Sequence, residues 1–344
     1  MGDVGDVGGV GERVIRAAAL PRAGEGGARI AMVAPASYGP ETSRDLAAVE
    51  ELRRLGHRVE LAPHWRSRHG YLAGTDEERA ADLNELFRRD DVDLILCLRG
   101  GWGSARLLDR LDYAALAAHP KLISGFSDIT SLHLAVWRET GLVTLYGPTL
   151  RRLGVPEETF TTRWFWRLAR GEAGEGAVLP RPEEEGWTPQ GGALRTLVPG
   201  RAEGRLVGGC LSLVVASLGT PWEIETEGRI LFLEDVDEEP YRVDRMLTQL
   251  RLAGKLEAAA GLVIGELVGG TPPAAFPYGS LSFDDVLEEI VVPLGVPAVY
   301  GLPVGHGRHL AALPHGARAE LDADRCELRL LEPAVEVAGG TGAR

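Results

Sequence analysis

The 344-residue sequence predicts an α/β protein in two parts, a parallel sheet covered by helices followed by a mixed half with more β character. In the first part, short apolar runs alternate with segments of helical periodicity, which indicates parallel strands joined by crossover helices. Apolar residues make up 44% of the chain and charged residues 25%, as in globular proteins with a buried core. The length suits two domains of ordinary size.

The first domain is expected over residues 29–155, where the alternating pattern is continuous. The predicted strands, in chain order, are RIAMVAP, HRVELAP, VDLILCLRG, KLISGF and LVTLYGP. The predicted helices between them are ETSRDLAAVEELRRLG, DEERAADLNELFRRD, SARLLDRLD and DITSLHLAVWRET. Parallel sheets bind ligands beyond the carboxyl ends of their strands, so functional side chains are expected there.

The rest of the chain divides by composition. Residues 156–200 are rich in Gly, Pro and Glu and predict a linker or flap, and residues 201–332 predict a mixed α/β second domain. That domain contains the strand-like runs RILFLED and GLVIGEL, the helix PYRVDRMLTQLRLAG, and two short closing β-like runs, ARAELD and CELRLL. The Gly/Ala-rich ends, residues 1–28 and 333–344, are expected to be mobile tails.

Charge and cysteine content exclude several classes of function. The net charge is −13 and no basic tract occurs, so neither nucleic acid nor an anionic membrane surface is expected as a partner. No segment has the pattern of a secretory signal or is apolar enough to span a bilayer, so a cytoplasmic protein is expected. The three widely spaced cysteines, Cys97, Cys210 and Cys326, predict buried thiols rather than a disulfide framework.

A serine stands at a sharp corner in LISGFSDIT, residues 122–130, where a predicted strand meets a predicted helix. A serine before a helix ordinarily caps it by accepting a backbone hydrogen bond. The alternative is a nucleophile elbow, in which Ser127 projects at the sheet edge and the helix N-terminus favours a developing oxyanion. The G-x-S-x-G pattern of such elbows is incomplete, because Ile129 replaces the second glycine. The stretch by itself leaves both interpretations open.

A glycine-rich loop, CLRGGWGSAR, follows the preceding predicted strand. It is either a turn without a ligand or a source of oxyanion-binding N–H groups, with Gly101 the first choice and Gly100 the second. A dinucleotide fingerprint is not supported, since Arg106 stands where a third glycine is needed. Arg99 is a candidate for binding a substrate carboxylate, and a surface ion pair is its alternative role.

An acid and a base follow predicted strands of the second half. Glu234 comes directly after the apolar run ILFL, where a carboxylate needs a partner such as a histidine unless it faces solvent or caps the next helix. Three acidic neighbours are alternatives of the same kind: Asp235, Asp237 and Glu238. His306 in YGLPVGHGRH is the best general base, with His309 the second choice. A serine, an acid and a histidine at strand ends are the parts of nucleophilic catalysis.

The remaining histidines are assigned no catalytic role. His133 lies six residues after Ser127 in a predicted helix and is expected to face away from the corner. The other five are expected at the surface: His57, His64, His69, His119 and His315. No pair has the spacing of a metal site, so neither a metal nor another cofactor is expected.

Several motifs resemble the LD-carboxypeptidase family, serine peptidases of the murein tetrapeptide carboxypeptidase type, over residues 29–332. They are, in the family's order, RGGWGSARLL, PKLISGFSDIT, GLVTLYGP, GRLVGG, ILFLEDVDEEPYRVDRMLTQL and GLPVGH. The resemblance implies a Rossmann-like N-terminal domain, a β-rich C-terminal domain, an active site between them and a homodimer. Where relatives read GGNL, this chain has GGCL with Cys210, which removes a hydrogen-bonding amide but leaves the implied catalytic residues unchanged.

The resemblance also implies roles for particular residues. Ser127, Glu234 and His306 would form a catalytic triad, and the backbone of Asp128 and Gly101 would form the oxyanion hole. Members of the family release terminal D-alanine from murein tetrapeptides by hydrolysing an L,D-amide bond, during cytoplasmic recycling of peptidoglycan. The expected partner is therefore a small muropeptide, and two arginines are candidates for its free carboxylate: Arg99 and Arg242.

Two other functions remain open from the sequence. A related branch hydrolyses a peptide–nucleotide antibiotic of the microcin C type, which calls for an aromatic side chain that stacks on a base. Trp187 and Trp222 are available, although such tryptophans more often serve in packing. A two-lobed protein that only binds a ligand would not need Ser127, Glu234 and His306 to meet.

Overall fold

The structure is a computed structural model that describes residues 13–155, 159–182, 187–189, 193–270 and 279–337. The strands are β1 (Arg29–Val33), β2 (Arg58–Leu61), β3 (Leu94–Cys97), β4 (Leu122–Gly125), β5 (Thr144–Tyr146), β6 (Arg195–Val198), β7 (Arg201–Cys210), β8 (Ile230–Val236), β9 (Gly261–Val268), β10 (Ala298–Tyr300), β11 (Leu313–His315), β12 (Arg318–Asp322) and β13 (Glu327–Leu330). The α-helices are α1 (Thr42–Arg54), α2 (Asp76–Arg88), α3 (Tyr113–Ala118), α4 (Thr130–Thr140), α5 (Leu150–Leu153), α6 (Phe160–Ala169), α7 (Leu211–Ala216), α8 (Pro240–Leu252) and α9 (Phe283–Ile290). Short 3₁₀ helices cover Ala23–Glu25, Ser104–Arg110, Ser127–Ile129, Val292–Leu294 and Ala323–Arg325.

The first sheet has the strand order β11-β5-β4-β3-β1-β2 in the described part of the chain. Strands β1 to β5 pair in parallel, as the alternation of strands and helices predicts. The edge strand β11 comes from the second half and runs antiparallel to β5, with Leu313 opposite Tyr146. The two halves of the chain therefore share one hydrogen-bonded sheet.

Local sequence explains why these elements form where they do. All four residues of β3 are buried, because helices cover both faces of a parallel sheet. Helix α2 begins at a capping box in which the Thr75 side chain accepts from the Glu78 backbone and the Glu78 carboxylate accepts from the Thr75 backbone. Helix α4 ends at Gly141, whose φ of 70° is the left-handed conformation that glycine adopts freely.

The second sheet has the strand order β13-β12-β7-β8-β9-β10-β6 among the described residues. Its central strands β7, β8, β9 and β10 pair in parallel, while β6, β12 and β13 pair antiparallel at the two edges. This mixed sheet and the parallel sheet before it confirm the predicted α/β class with a β-rich second half.

The predicted tails are ordered where they are described, which corrects that expectation. The side chains of Ala17, Leu20, Ala334 and Val335 are buried in the main apolar cluster. Composition suggested mobile ends because Gly and Ala offer little apolar area, but small side chains pack closely against a surface formed elsewhere. The outer parts of both tails, residues 1–12 and 338–344, lie outside the described residues.

The segment expected to be a linker, residues 156–200, contains the packed helix α6. Thr159 caps this helix by accepting from the backbone N–H of Thr162. Trp164 and Phe165 are buried, and the Trp164 indole donates to the Ala312 carbonyl at 2.9 Å. This stretch is part of the core rather than a connection, and its glutamate-rich part lies largely outside the described residues.

The cysteines and the helices agree with the expectations from composition. Cys97, Cys210 and Cys326 are free thiols and all are buried. Burial raises the pKa of the Cys97 thiol to about 12, so this side chain stays protonated and unreactive. No α-helix in the described ranges combines the length and the apolar character that a membrane crossing needs.

Two histidines predicted at the surface, His57 and His315, are instead buried. His57 stacks on Trp166 with ring centroids 4.6 Å apart and accepts from the Ala28 backbone N–H. Burial lowers the pKa of His57 to about 4 and that of His315 well below its usual value, so both rings are neutral at pH 7. Their neighbours are distant in the sequence, so no local pattern signals this burial.

His133 contacts the strand that leads to the Ser127 corner, although the sequence placed it away from that corner. Its Nε2 lies 2.9 Å from the Gly125 carbonyl oxygen and therefore donates to it, and its Nδ1 accepts from the Thr144 hydroxyl at 2.8 Å. The ring is completely buried, and burial lowers the pKa of His133 to about 4.

Lowering the pH from 6.5 to 4 is expected to remove about 3 kcal/mol of the free energy of unfolding through His133 alone. In this range the unfolded chain takes up a proton at the imidazole while the folded chain does not, so stability falls as pH falls. Urea unfolding at a series of pH values measures this slope. His133→Gln is expected to lose less stability over the same range, and equal slopes for the two proteins would contradict the assignment.

Candidate active site

Ser127 lies at a strained corner between β4 and α4. Its φ is +66°, in the left-handed region that costs a non-glycine residue roughly 1–2 kcal/mol. A Cβ on Gly125 would lie 2.9 Å from the Ile129 side chain and 3.1 Å from Cys97, so only glycine fits there. Ile129, which stands where the second glycine of the pattern would be, thus packs beside the first one.

The glycine-rich loop after β3 lies directly against this serine. A Cβ on Gly100 would come within 2.8 Å of the Ser127 Cβ and 3.0 Å of its Oγ. Gly101 has a φ of +108°, and a Cβ there would collide with the Ser37 side chain. The Ser37 hydroxyl in turn donates to the Gly100 carbonyl at 2.9 Å, which holds the loop in place.

Gly100→Ala is expected to lower kcat by about 100-fold or more, because the added methyl group displaces the Ser127 hydroxyl by an appreciable fraction of an ångström. Steady-state assays of the hydrolytic activity that the resemblance implies measure this loss. The matched control is Gly39→Ala, whose added Cβ meets nothing closer than 3.4 Å. Full activity in Gly100→Ala would contradict this arrangement of the loop.

Asp128, next to the serine, ties the corner to the glycine loop. Its buried carboxylate accepts from the backbone N–H of Ser104 at 2.8 Å, and its carbonyl accepts from the Ser104 hydroxyl. Burial raises the pKa of this carboxyl, and the hydrogen bonds from Ser104 partly oppose that rise. Among the hydrogen bonds of the described residues, none uses the backbone N–H of Asp128 or Gly101. These two groups therefore suit an oxyanion.

Glu234 and His306 meet in the second half of the chain. The Glu234 carboxylate at the end of β8 is completely buried, and its Oε2 accepts from Nδ1 of His306 at 2.7 Å and from the His306 backbone N–H at 3.1 Å. Gly305 allows this approach, since a Cβ there would overlap the carboxylate and its φ is +102°. The imidazole is thereby held with Nε2 free to act as a base.

A tyrosine that sequence reasoning missed connects the two halves of the site. The Tyr146 hydroxyl donates to Oε1 of Glu234 and accepts from the Ser127 backbone N–H at 3.2 Å. Burial, and next the Glu234 charge, raise the pKa of Tyr146 well above its usual value, so it remains a donor. The sequence feature that could have identified Tyr146 is its place at the end of a buried strand, because a buried phenol needs a hydrogen-bond partner.

Ser127 and His306 are neighbours without a hydrogen bond between them. The Phe126 and His306 rings have centroids 4.9 Å apart, which sets the imidazole beside the corner. Within the described residues the Ser127 hydroxyl makes no hydrogen bond to the His306 ring. Catalytic hydrogen bonds are often long before substrate binds, so this geometry is compatible with a base that engages later.

Arg152 is a second residue that the sequence did not reveal. Its Nη2 donates to the His306 carbonyl at 3.1 Å, and its guanidinium lies 5.2 Å from the centre of the Phe126 ring. It follows β5 on the short helix α5, where no sequence motif marks it. This hydrogen bond stabilises the loop that carries His306.

The alternative acids and bases have other contacts. Asp235 accepts from the backbone N–H groups of Ser212 and Val236, and the thiol of Cys210 lies 3.3 Å from the same carboxylate. Burial, followed by Glu234 and Asp235, raises the pKa of Cys210 well above normal, so it is a neutral thiol. His309 is buried between the rings of Phe160 and Trp187.

The arginines proposed for a substrate carboxylate are not joined to Ser127 by any hydrogen bond in the described residues. Arg99 donates to the Tyr38 carbonyl at 3.4 Å, and Arg242 is half-exposed and pairs with Glu239 at 2.6 Å. Trp222 donates from its indole to Glu139 at 3.0 Å. As for metals, the described residues contain no group of three or more His, Cys, Asp or Glu side chains arranged to hold an ion.

Two family models match the chain, the LD-carboxypeptidase N-terminal domain over residues 30–147 and the LD-carboxypeptidase C-terminal domain over residues 203–321. A probable murein peptide carboxypeptidase of Bacillus subtilis is 41% identical over 88% of this chain and 91% of its own length.

Solved structures show the same architecture. The muramoyltetrapeptide carboxypeptidase of Oxalobacter formigenes is similar with a TM-score of 0.73 at 32% identity, over 88% of this chain and 97% of that one. The microcin C7 self-immunity protein MccF, in complex with glutamyl sulfamoyl guanosine, is similar with a TM-score of 0.80 at 27% identity, over 93% and 99%.

Proposed function

The chain belongs to the LD-carboxypeptidase family and is a peptidase, and on that premise we propose that it releases terminal D-alanine from murein tetrapeptides by hydrolysing an L,D-amide bond. The observation that carries the proposal is the buried Glu234–His306 pair beside the strained Ser127 corner. An oriented imidazole next to a partly exposed hydroxyl is the requirement for a serine nucleophile.

In the proposed reaction, Nε2 of His306 takes the Ser127 proton as the hydroxyl oxygen attacks the amide carbonyl. Glu234 stabilises the imidazolium that forms, and the N–H groups of Asp128 and Gly101 bind the oxyanion. The C–N bond then breaks, and the imidazolium gives its proton to the leaving D-alanine amine. Water, deprotonated by His306, hydrolyses the acyl-enzyme and restores Ser127.

The physiological setting is part of the same proposal. The substrate is a soluble muropeptide and the enzyme acts as a cytoplasmic homodimer in peptidoglycan recycling. Arg99 and Arg242 are the proposed ligands of the substrate carboxylate, because a guanidinium binds a carboxylate through two parallel hydrogen bonds. Neither arginine is buried, so both are accessible to a peptide.

A second candidate is hydrolysis of an aminoacyl nucleotide. It is favoured by the similarity to MccF, whose complex contains an aminoacyl sulfamoyl nucleoside. The Trp187 ring lies 6.4 Å from the ring of His309, which follows His306 by three residues, and it is a surface on which a base can stack.

The two candidates are separated by the substrate that the purified protein cleaves. We expect D-alanine to be released from the murein tetrapeptide and not from its all-L isomer, with products followed by mass spectrometry. Equal cleavage of both peptides would contradict the L,D-specific proposal. Cleavage of an aminoacyl adenylate analogue together with an intact tetrapeptide would favour the second candidate.

A further inference from the structure

We propose that Tyr146 is a positioning residue whose hydroxyl aligns the Ser127 corner of the first sheet with the Glu234–His306 pair of the second half, an inference that rests on the proposed serine chemistry. Tyr146 is the last residue of β5, and its side chain is completely buried. It touches no solvent, so it cannot contact the substrate and acts through its neighbours.

The phenol oxygen occupies a junction between the two halves. It donates its proton to Oε1 of Glu234 and accepts from the Ser127 backbone N–H at 3.2 Å. The Tyr146 hydroxyl oxygen therefore fixes the distance between the Ser127 backbone and the Glu234 carboxylate, which in turn orients His306. Because Ser127 and His306 share no hydrogen bond among those of the described residues, this indirect connection is what holds them in position relative to each other.

The same hydroxyl completes the hydrogen bonding of a buried carboxylate. Glu234 accepts from His306 Nδ1 and the His306 backbone N–H through Oε2, so Tyr146 is the donor to Oε1. A buried carboxylate oxygen without a donor is costly. Loss of the hydroxyl is therefore expected to weaken the hold of the Glu234 carboxylate on the His306 ring.

The phenol also uses the Ser127 N–H, which leaves the N–H groups of Asp128 and Gly101 as the donors for an oxyanion. The ring of Tyr146 is wedged against Phe126, Phe232 and His133, at centroid distances of 6.4, 5.3 and 5.8 Å, so the hydroxyl has a fixed direction. A fixed donor costs little reorganisation during the reaction.

The other titratable or charged groups around this pair stay in place when only the hydroxyl is removed. They are Cys210 on β7, Asp235 on β8, Arg152 on α5, Glu266 on β9 and His133 on α4. A change in rate after loss of the hydroxyl therefore reports the Tyr146–Glu234 contact.

Tyr146→Phe tests the inference. We expect kcat to fall roughly 10- to 100-fold with KM unchanged, a split that a merely structural role would not produce. Tyr113→Phe is the matched control, since it removes a hydroxyl that donates to the Leu108 carbonyl in the same half of the chain. A variant Tyr146→Phe with the kcat of wild type would overturn the inference.

A double-mutant cycle separates positioning from general destabilisation. If Tyr146 acts through Glu234, adding Tyr146→Phe to Glu234→Gln should lower kcat no further than Glu234→Gln alone. Multiplicative losses would overturn the inference.

A substrate-independent measurement keeps the two proposals distinguishable. The rate at which a fluorophosphonate probe labels Ser127 is measured for wild type and both tyrosine variants, with labelling roughly 10- to 100-fold slower expected for Tyr146→Phe alone. Wild-type protein that is labelled yet releases no D-alanine contradicts the proposed substrate, and the labelling rates still decide the role of Tyr146. Wild-type protein that is not labelled overturns both.

Discussion

Ser127→Ala is expected to lower kcat for D-alanine release on the order of a millionfold, the scale seen when a serine nucleophile is removed. The substitution keeps the Cβ atom, so the φ of +66° and the contact with Gly100 are unchanged. The free energy of unfolding should therefore change by less than about 0.5 kcal/mol. A discontinuous assay with chiral detection of free D-alanine measures the rate, and thermal unfolding checks the fold.

The control for Ser127→Ala is a serine on the helix that follows. Ser131 lies in the first turn of α4, four residues after Ser127, and Ser131→Ala is expected to retain the wild-type rate. Comparable rates for Ser127→Ala and wild type would exclude Ser127 as the nucleophile, whatever the behaviour of the control.

Glu234→Gln is expected to lower kcat by about 10⁴-fold, because a neutral amide no longer stabilises the imidazolium of His306. The amide has nearly the same shape, so the buried site should remain packed. The control is Asp235→Asn, which neutralises the adjacent buried carboxylate of β8 and should affect stability more than rate. A larger rate loss in Asp235→Asn than in Glu234→Gln would show that Asp235, and not Glu234, is the acid that supports His306.

Much of the first sheet was predictable because its signal is local. Runs such as LILC in β3 are apolar at every position, which occurs where both faces of a strand are covered. A histidine partner for Glu234 was one of the alternatives that a general rule allowed, since a carboxylate at the end of a buried strand needs a donor, and the resemblance pointed to His306. Strand ends of one parallel sheet lie at the same edge, but Ser127 follows β4 of the first sheet and Glu234 lies on β8 of the second, so this rule alone does not bring them together.

The features that sequence missed depend on contacts between distant residues. The burial of His57 against Trp166 and of His315 beside His133 follows from packing across more than a hundred residues of chain. The hydrogen bond from Tyr146 to Glu234 joins residues 88 positions apart, and no periodicity encodes such a distance. Composition also underestimated how much of the terminal segments is buried, since small side chains such as Ala17 and Ala334 pack in the core.

Because of strand β11, the first half of the chain cannot complete its sheet without the second half. This strand belongs to the second half in sequence but covers the edge of β5, with Leu313 opposite Tyr146. A fragment ending after the first domain would leave β5 with an unpaired row of backbone groups, the arrangement through which exposed sheets associate. The polypeptide can begin to fold before its last strands are made, but its first sheet is complete only after residue 315 has joined it. Truncated products are thus exposed to aggregation and not merely inactive.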